Sequence, residues 1–228
     1  MKDKWLTLLL SFNGGFVDTA GFLTLQGLFT AHVTGNFVTL AAAFVDGSAG
    51  TTAKLLALPV FCVVVLVTRL AGLVLERWNR PAPAILLTVK FVLLSSAAAY
   101  AVGHGHFDGG DNLPNVVLGM ILVAAMAIQN AVHRLHFSKA PPSTLMTGTT
   151  TQVMIDLADL LAGRAGDDVA AVRSRLGQMV SHVLAFALGC GTAAAAIVSA
   201  GVWCFAIPPV IAALTAMRAR VAHEAEAG

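Results

Sequence analysis

Asp18 is the only acid in the apolar run that opens this chain, over residues 5 to 25, and it lies several residues from either end of that run. An ionisable group at such depth is costly unless it faces the protein interior or a wet cavity. Two chemistries suit it: a carboxylate that accepts a proton or pairs with a cation, or a structural acid held by backbone or by a basic residue. Arg69, inside another apolar run, is the candidate charge partner for Asp18 or for an anionic solute. Asn13, Gly14 and Gly15 come one turn or so before Asp18, and the step Thr34, Gly35, Asn36 follows at the mouth of a short apolar segment. A helix start there offers N–H donors and about half a positive charge, which favours an anion or a carbonyl oxygen.

The step recurs. A constant offset of 113 residues superposes Thr34 on Thr147, Gly35 on Gly148, Asp46 on Asp159 and Gly50 on Gly163, and Thr149 completes the second step. With a one-residue shift, Asn130 beside Gln129 stands where Asp18 stands in the first half. Weak internal symmetry joined to short, Gly-interrupted apolar segments is the pattern of a secondary transporter around its binding site. The candidate solute site is therefore Thr34, Gly35, Asn36, Thr147, Gly148 and Thr149, with Asn13, Gln129 and Asn130 beside it and Asp18 coupling to protons. Asp46 and Asp159 end the short segments, where an acid opposes the helix macrodipole, and read as structural.

These residues need a membrane scaffold. Apolar residues make up 57% of the chain and charged residues 11%, with a mean hydropathy of +0.79, whereas a soluble domain carries about 25% charged residues. The net charge of +2 is scattered and excludes a nucleic-acid partner. Cys62, Cys190 and Cys204 fall in apolar runs and act as small hydrophobes. Runs at 5–25, 55–76, 83–103, 115–133, 177–199 and 202–217 approach the length a bilayer crossing needs, about 17 to 25 residues. The segments 34–46 and 147–162 reach only roughly 20 and 24 Å.

Topology follows from the Lys and Arg count. If both short segments dip in and leave on the side they entered, Lys2, Lys4, Arg77, Arg80, Arg134, Lys139, Arg164, Arg173, Arg175, Arg218 and Arg220 face the cytoplasm and Lys54 alone lies outside, eleven to one. If both cross, the split is eight to four. The expectation is an all-α polytopic helix bundle of six crossings plus two re-entrant half-helices. An odd number of crossings in the first repeat, 1–108, inverts the second, 109–228. Both termini are then cytoplasmic, and both short helices begin near the midplane, where non-helical backbone must line a cavity or be buried in protein.

The runs "GGFVDTAGFLTLQGLFTAHVTGNFVTL" and "AIQNAVHRLHFSKAPPSTLMTGTTTQV" together resemble the YoaK family of bacterial inner-membrane proteins. That resemblance implies a multi-span inner-membrane protein without an established activity, and it carries over no substrate, cofactor or catalytic residue. The family's basic character before the second Thr-Gly step matches Arg134, His136 and Lys139 here.

The expected function is a secondary transporter or permease for a small polar or anionic solute. A channel of the same architecture is its near relative. The alternatives are a membrane assembly or sensor protein, and an intramembrane enzyme. The enzyme reading lacks an HExxH, a GxSxG and a second membrane acid to partner Asp18, so no catalytic residue and no cofactor is assigned. Lys90 and His182 also lie within spans; snorkelling suits Lys90, and His182 belongs near the interface. His104, His106, Asp108 and Asp111 carry metal-ligand side chains, yet a Gly-rich connector has this composition anyway. Small residues such as Gly189, Gly191 and Ala193 allow close helix packing within one protomer or in a homo-oligomer.

Overall fold

Five segments are long and apolar enough to cross a bilayer: α1 (Lys4–Thr24), α3 (Thr51–Arg77), α4 (Ala82–His104), α5 (Leu113–His136) and a continuous stretch, Val169–Ala225. The last contains α7 (Val169–Ala200), a 3-10 turn (Gly201–Ala206) and α8 (Ile207–Ala227). Two shorter helices lie between them, α2 (Gly35–Asp46) and α6 (Met146–Leu161), and no strand occurs among the described residues. The computed structural model describes residues 4–47, 50–107, 111–144, 146–164 and 169–227; Asp108 and the side chain of Asp46 lie outside them.

Local chemistry sets the boundaries. Asn112 caps α5, its side-chain oxygen accepting from the Asn115 N–H at 3.0 Å, and Pro114 sits in the first turn, where no intrahelical N–H bond is lost. Pro83 plays that part in α4. Gly201, at φ +54, ends α7 in a left-handed conformation that a side chain disfavours. The helix after it therefore begins at Ile207, following a 3-10 turn, rather than at 202. At its other end α7 begins at 169 instead of 177, because Val169 to Leu176 are mostly good helix formers.

Burial separates central helices from peripheral ones. In α1 and α5, 67% of the apolar window is buried inside the protein, against 11% in α3, whose Val63, Leu66, Val67 and Leu70 are exposed. α1 packs on α7, α5 on α3 and α4, and α4 on α8, while α2 lies on α3 and α6 on α7. At the α1–α7 crossing two glycines let the backbones touch: a Cβ on Gly15 would overlap the Phe186 carbonyl oxygen, and one on Gly189 the Phe12 carbonyl oxygen.

Two apolar clusters fill the bundle, a smaller one at one end and a larger one reaching from the middle to the other end. One joins Leu6 and Leu10 of α1, Leu87 of α4, Val132 of α5 and Ala219 of α8. The other joins Leu25, Leu28, Ala53, Ala101 and Leu118. At the second end Asp111 accepts from the Thr51 hydroxyl at 2.6 Å and the Thr52 N–H at 2.8 Å, tying the α4–α5 connection to the start of α3. Gly50 packs against the Gln26 side chain, so the chain returns to the end at which it left α1.

Candidate functional site

The loop between α1 and α2 folds back along α1 until residues 30–32 reach Asp18. Asp18 is 4% exposed, and its Oδ1 accepts from the Thr30 and Ala31 N–H groups, each at 2.7 Å, and from the Thr30 hydroxyl at 3.3 Å. Its Oδ2 lies 2.7 Å from His32 Nδ1. One carboxylate oxygen thus anchors backbone, and the other is left to a titratable ring. His32 is held edge-on by Phe186 of α7, ring centroids 5.6 Å apart. Both residues line a largely apolar cavity of about 530 Å³, together with Phe22, Phe29, Thr34, Gly35 and Cys190.

Thr34 and Gly35 therefore share a cavity with Asp18. The helix start itself differs from expectation. Thr34 makes no side-chain cap, and the first N–H groups of α2 are already used: Gly35 donates to His32 O at 2.8 Å, Asn36 to Val33 O and Phe37 to Thr34 O, both at 3.2 Å. The tight turn of 32–37 consumes the donors that an abrupt helix start would leave free. Asn36 is equally committed: its side chain accepts from the Phe29 N–H at 2.9 Å and donates to the Phe29 carbonyl at 2.8 Å, clamping the loop.

The second half repeats the arrangement without its charge. Thr144 donates to Asn130 Oδ1 at 2.6 Å, the partners 14 positions apart in the chain, the same separation as between Asp18 and His32. Beside it, Gln129 Nε2 donates to Leu10 O at 2.8 Å and Ser143 Oγ at 3.2 Å, and its Oε1 accepts from Lys90 Nζ. Lys90 is fully buried, so it does not snorkel. Asn13 is fully buried too, and neither its side-chain N nor its O has a partner among the described residues.

The two Thr-Gly steps do not meet in one chamber. Gly148 and Thr149 line a separate cavity of about 440 Å³ with Lys139, Gln152 and Arg175, and Thr147 faces a third with Met154 and Ile155. Both Thr147 and Gly148 lie inside the first turn of α6 rather than before it. Asn13 and Gln129 are buried and Asn130 is half-buried, and none of the three lines the Asp18 cavity. Arg69 is on the exposed face of α3, 3.6 Å from Glu76 two turns along, and His32 occupies the place beside Asp18.

A family model described as protein of unknown function (DUF1275) matches residues 6–218. The chain belongs to this family. The match runs from α1 into α8 and so takes in the Asp18 loop and its Asn130 counterpart alike. No curated protein and no solved structure matches the chain. Membership of this family and the long apolar helices together describe a multi-pass integral membrane protein in contact with lipid.

His32 and Cys190 are the site residues that sequence reasoning missed. The signal for His32 was present as the 14-residue spacing shared by Asp18–His32 and Asn130–Thr144, at a constant offset of 112. Cys190 gave no signal, because its contact with Gly15, Sγ to carbonyl oxygen at 3.5 Å, exists only through the α1–α7 crossing.

Proposed function

We propose that this protein is a secondary transporter for a small polar solute, with the cavity at Asp18, His32, Thr34 and Gly35 as its site and Asp18 as the proton-coupling group. The observation that carries the reading is the division of labour in the Asp18 carboxylate: Oδ1 pins residues 30 and 31 while Oδ2 meets a half-buried imidazole at the cavity wall. A proton arriving at Asp18 weakens its hold on three donors of the loop that carries Thr34 and Gly35. Proton uptake and opening of the cavity are then the same event. A carboxylate at the wall disfavours an anionic solute in this cavity and favours a neutral or cationic one.

The membrane arrangement that goes with this reading is six crossings, two re-entrant half-helices and two inverted repeats, in a bacterial inner membrane with both termini cytoplasmic. Several placements support it. Thr30 returns to the level of Asp18 while Gly50 lies back beside Gln26, which suits a segment that enters and leaves at one end. Ser143 and Thr144 likewise lie against Gly14, while Phe137 and Lys139 share a cavity wall with Arg173 and Ser174. The packing of α1 on α7 and of α5 on α3 exchanges equivalent helices between halves, as a two-fold relation requires. The 3-10 turn at Gly201–Ala206 divides the long last segment into two helices, which suits two crossings.

The test is electrogenic or pH-driven uptake by proteoliposomes across a panel of small polar metabolites, comparing the parent with Asp18→Asn. The variant keeps an acceptor for the 30–31 N–H groups and should fold with a melting temperature near the parent's. It should lose solute-dependent proton movement by at least tenfold. Undiminished coupling in a folded Asp18→Asn protein removes Asp18 from the mechanism.

A further inference from the structure

Where the start of α1, the start of α7 and the loop after α5 come together, they enclose a cavity of about 730 Å³. It is separate from the Asp18 site, and no residue lines both. Three cations line it, Lys4, Lys139 and Arg173, from three different parts of the chain. No carboxylate among the described residues lines it or pairs with any of the three. Ser174 and Ser181, on the wall formed by α7, add hydroxyl groups.

A second, independent observation lies in the same wall. His182 lines this cavity and is 4% exposed. Its Nδ1 lies 2.8 Å from the Gln178 carbonyl, which can only accept, so Nδ1 carries the proton. Its Nε2 is buried with no partner among the described residues. Buried polar atoms are normally paired, and this unpaired nitrogen belongs to a residue of the cavity wall.

We propose that this cavity is a binding site for a phosphate group, held by Lys4, Lys139 and Arg173, with hydroxyl support from Ser174 and Ser181 and with His182 at its buried side. Arg and Lys converging with no acid among the described residues is the chemistry that recognises phosphate oxygens, by charge and by directed N–H donors. Its position at the end of the bundle where the basic residues gather gives two sources for such a group, the headgroup of an anionic lipid and a free phosphate from solution.

The experiment is thermal unfolding of the purified protein in an uncharged maltoside, followed by tryptophan fluorescence. Inorganic phosphate is titrated against sodium chloride of equal ionic strength, and dihexanoyl phosphatidylglycerol against dihexanoyl phosphatidylcholine. The expected result is a saturating rise in melting temperature with phosphate, with phosphatidylglycerol or with both, beyond the matched control. A response to the lipid alone assigns the headgroup, to inorganic phosphate alone a free anion, and to both the phosphate group itself. Lys139→Gln with Arg173→Gln should raise the half-saturating concentration at least tenfold, while Arg77→Gln with Arg80→Gln, which removes the same charge elsewhere, should leave it as in the parent. If the first pair does not fold, Lys4→Gln at the exposed start of α1 is read in its place for a several-fold rise. No response beyond the controls to either ligand, or an unchanged half-saturation in the cavity variant, overturns the proposal. Neither result bears on proton coupling at Asp18, since the two cavities share no residue.

Discussion

At the scale of single residues, close approach of backbone decides more than side-chain volume. Gly15 and Gly189 sit where a Cβ would strike a carbonyl oxygen of the opposing helix, whereas a Cβ on Gly191 meets nothing within 4 Å. Gly189→Ala should therefore destabilise the protein by about 1–3 kcal/mol, as overpacking does, and lower its melting temperature in detergent. Gly191→Ala should be neutral or raise it slightly, since alanine favours the helix by up to about 1 kcal/mol. Equal melting temperatures for the two variants would show that the α1–α7 crossing is looser than described. From the sequence both glycines belonged to one stripe of small residues. Which of them touches a neighbour depends on the rotation of α7 about its axis, and no local pattern fixes that. Asp18 makes the same point from the polar side: its depth in an apolar run was readable, while its partner was not. Arg69 had the right charge and span, yet α3 turns it outward to Glu76, and a loop residue 14 positions along the chain reaches the carboxylate instead.

At the scale of elements, hydrophobic run length gave the helices, because a bilayer imposes about 20 residues on each crossing. The runs placed at 5–25 and 83–103 match α1 and α4 to within a residue. The ends that moved are those set by chemistry other than hydropathy, such as the left-handed Gly201 after α7. The start of α3 is another case. Gly50 supplies no side-chain cap, and the acceptor comes from Asp111, 60 residues away. Burial acts to raise the Asp111 pKa, but the hydrogen bonds from Thr51 and Thr52 outweigh it and hold the carboxyl below its ordinary value. A group with a depressed folded-state pKa contributes stability above its unfolded pKa, near 4, and that stability is lost as the pH falls through the lower folded value. Asp111→Ala should thus lower the melting temperature by about 2–4 °C at pH 7, the scale of a helix cap in a protein of this size. The difference should shrink as the pH is taken from 5 towards 3. A gap that stays constant over that range would mean that the carboxylate's charge plays no part in the cap.

At the scale of the whole molecule, the distribution of basic residues and the helix ends agree. Leu6, Leu10, Leu87, Val132 and Ala219 share one apolar cluster, and the termini beside them carry Lys4, Arg80, Arg134 and Arg220. Lys54 stands at the other end, with Ala53 in the second cluster. In a background lacking the three native cysteines, single cysteines at positions 4 and 52, which flank α1 and the segment 25–50, should react with a membrane-impermeant thiol reagent from opposite sides of a sealed vesicle. Labelling of both from one side would refute the proposed re-entrant course of residues 25–50. The measurement is independent of any solute, so the architecture and the transport activity can fail separately.

Composition, run length and the 113-residue repeat were enough to determine a helical membrane protein with two short helices in equivalent places and one acid of note. Those properties are additive along the chain: each residue contributes its transfer free energy, and a repeat needs no neighbour to be seen. What only the tertiary structure decided is which polar groups meet. The return of residues 30–32 to Asp18, the separation of the two Thr-Gly steps into different cavities, the burial of Lys90 on Gln129, and the convergence of Lys4, Lys139 and Arg173 all join positions far apart in sequence. Hydrogen bonds and charge contacts act over a few ångströms and depend on orientation, so they are settled by helix rotation and loop course, for which a pattern of apolar residues carries no code.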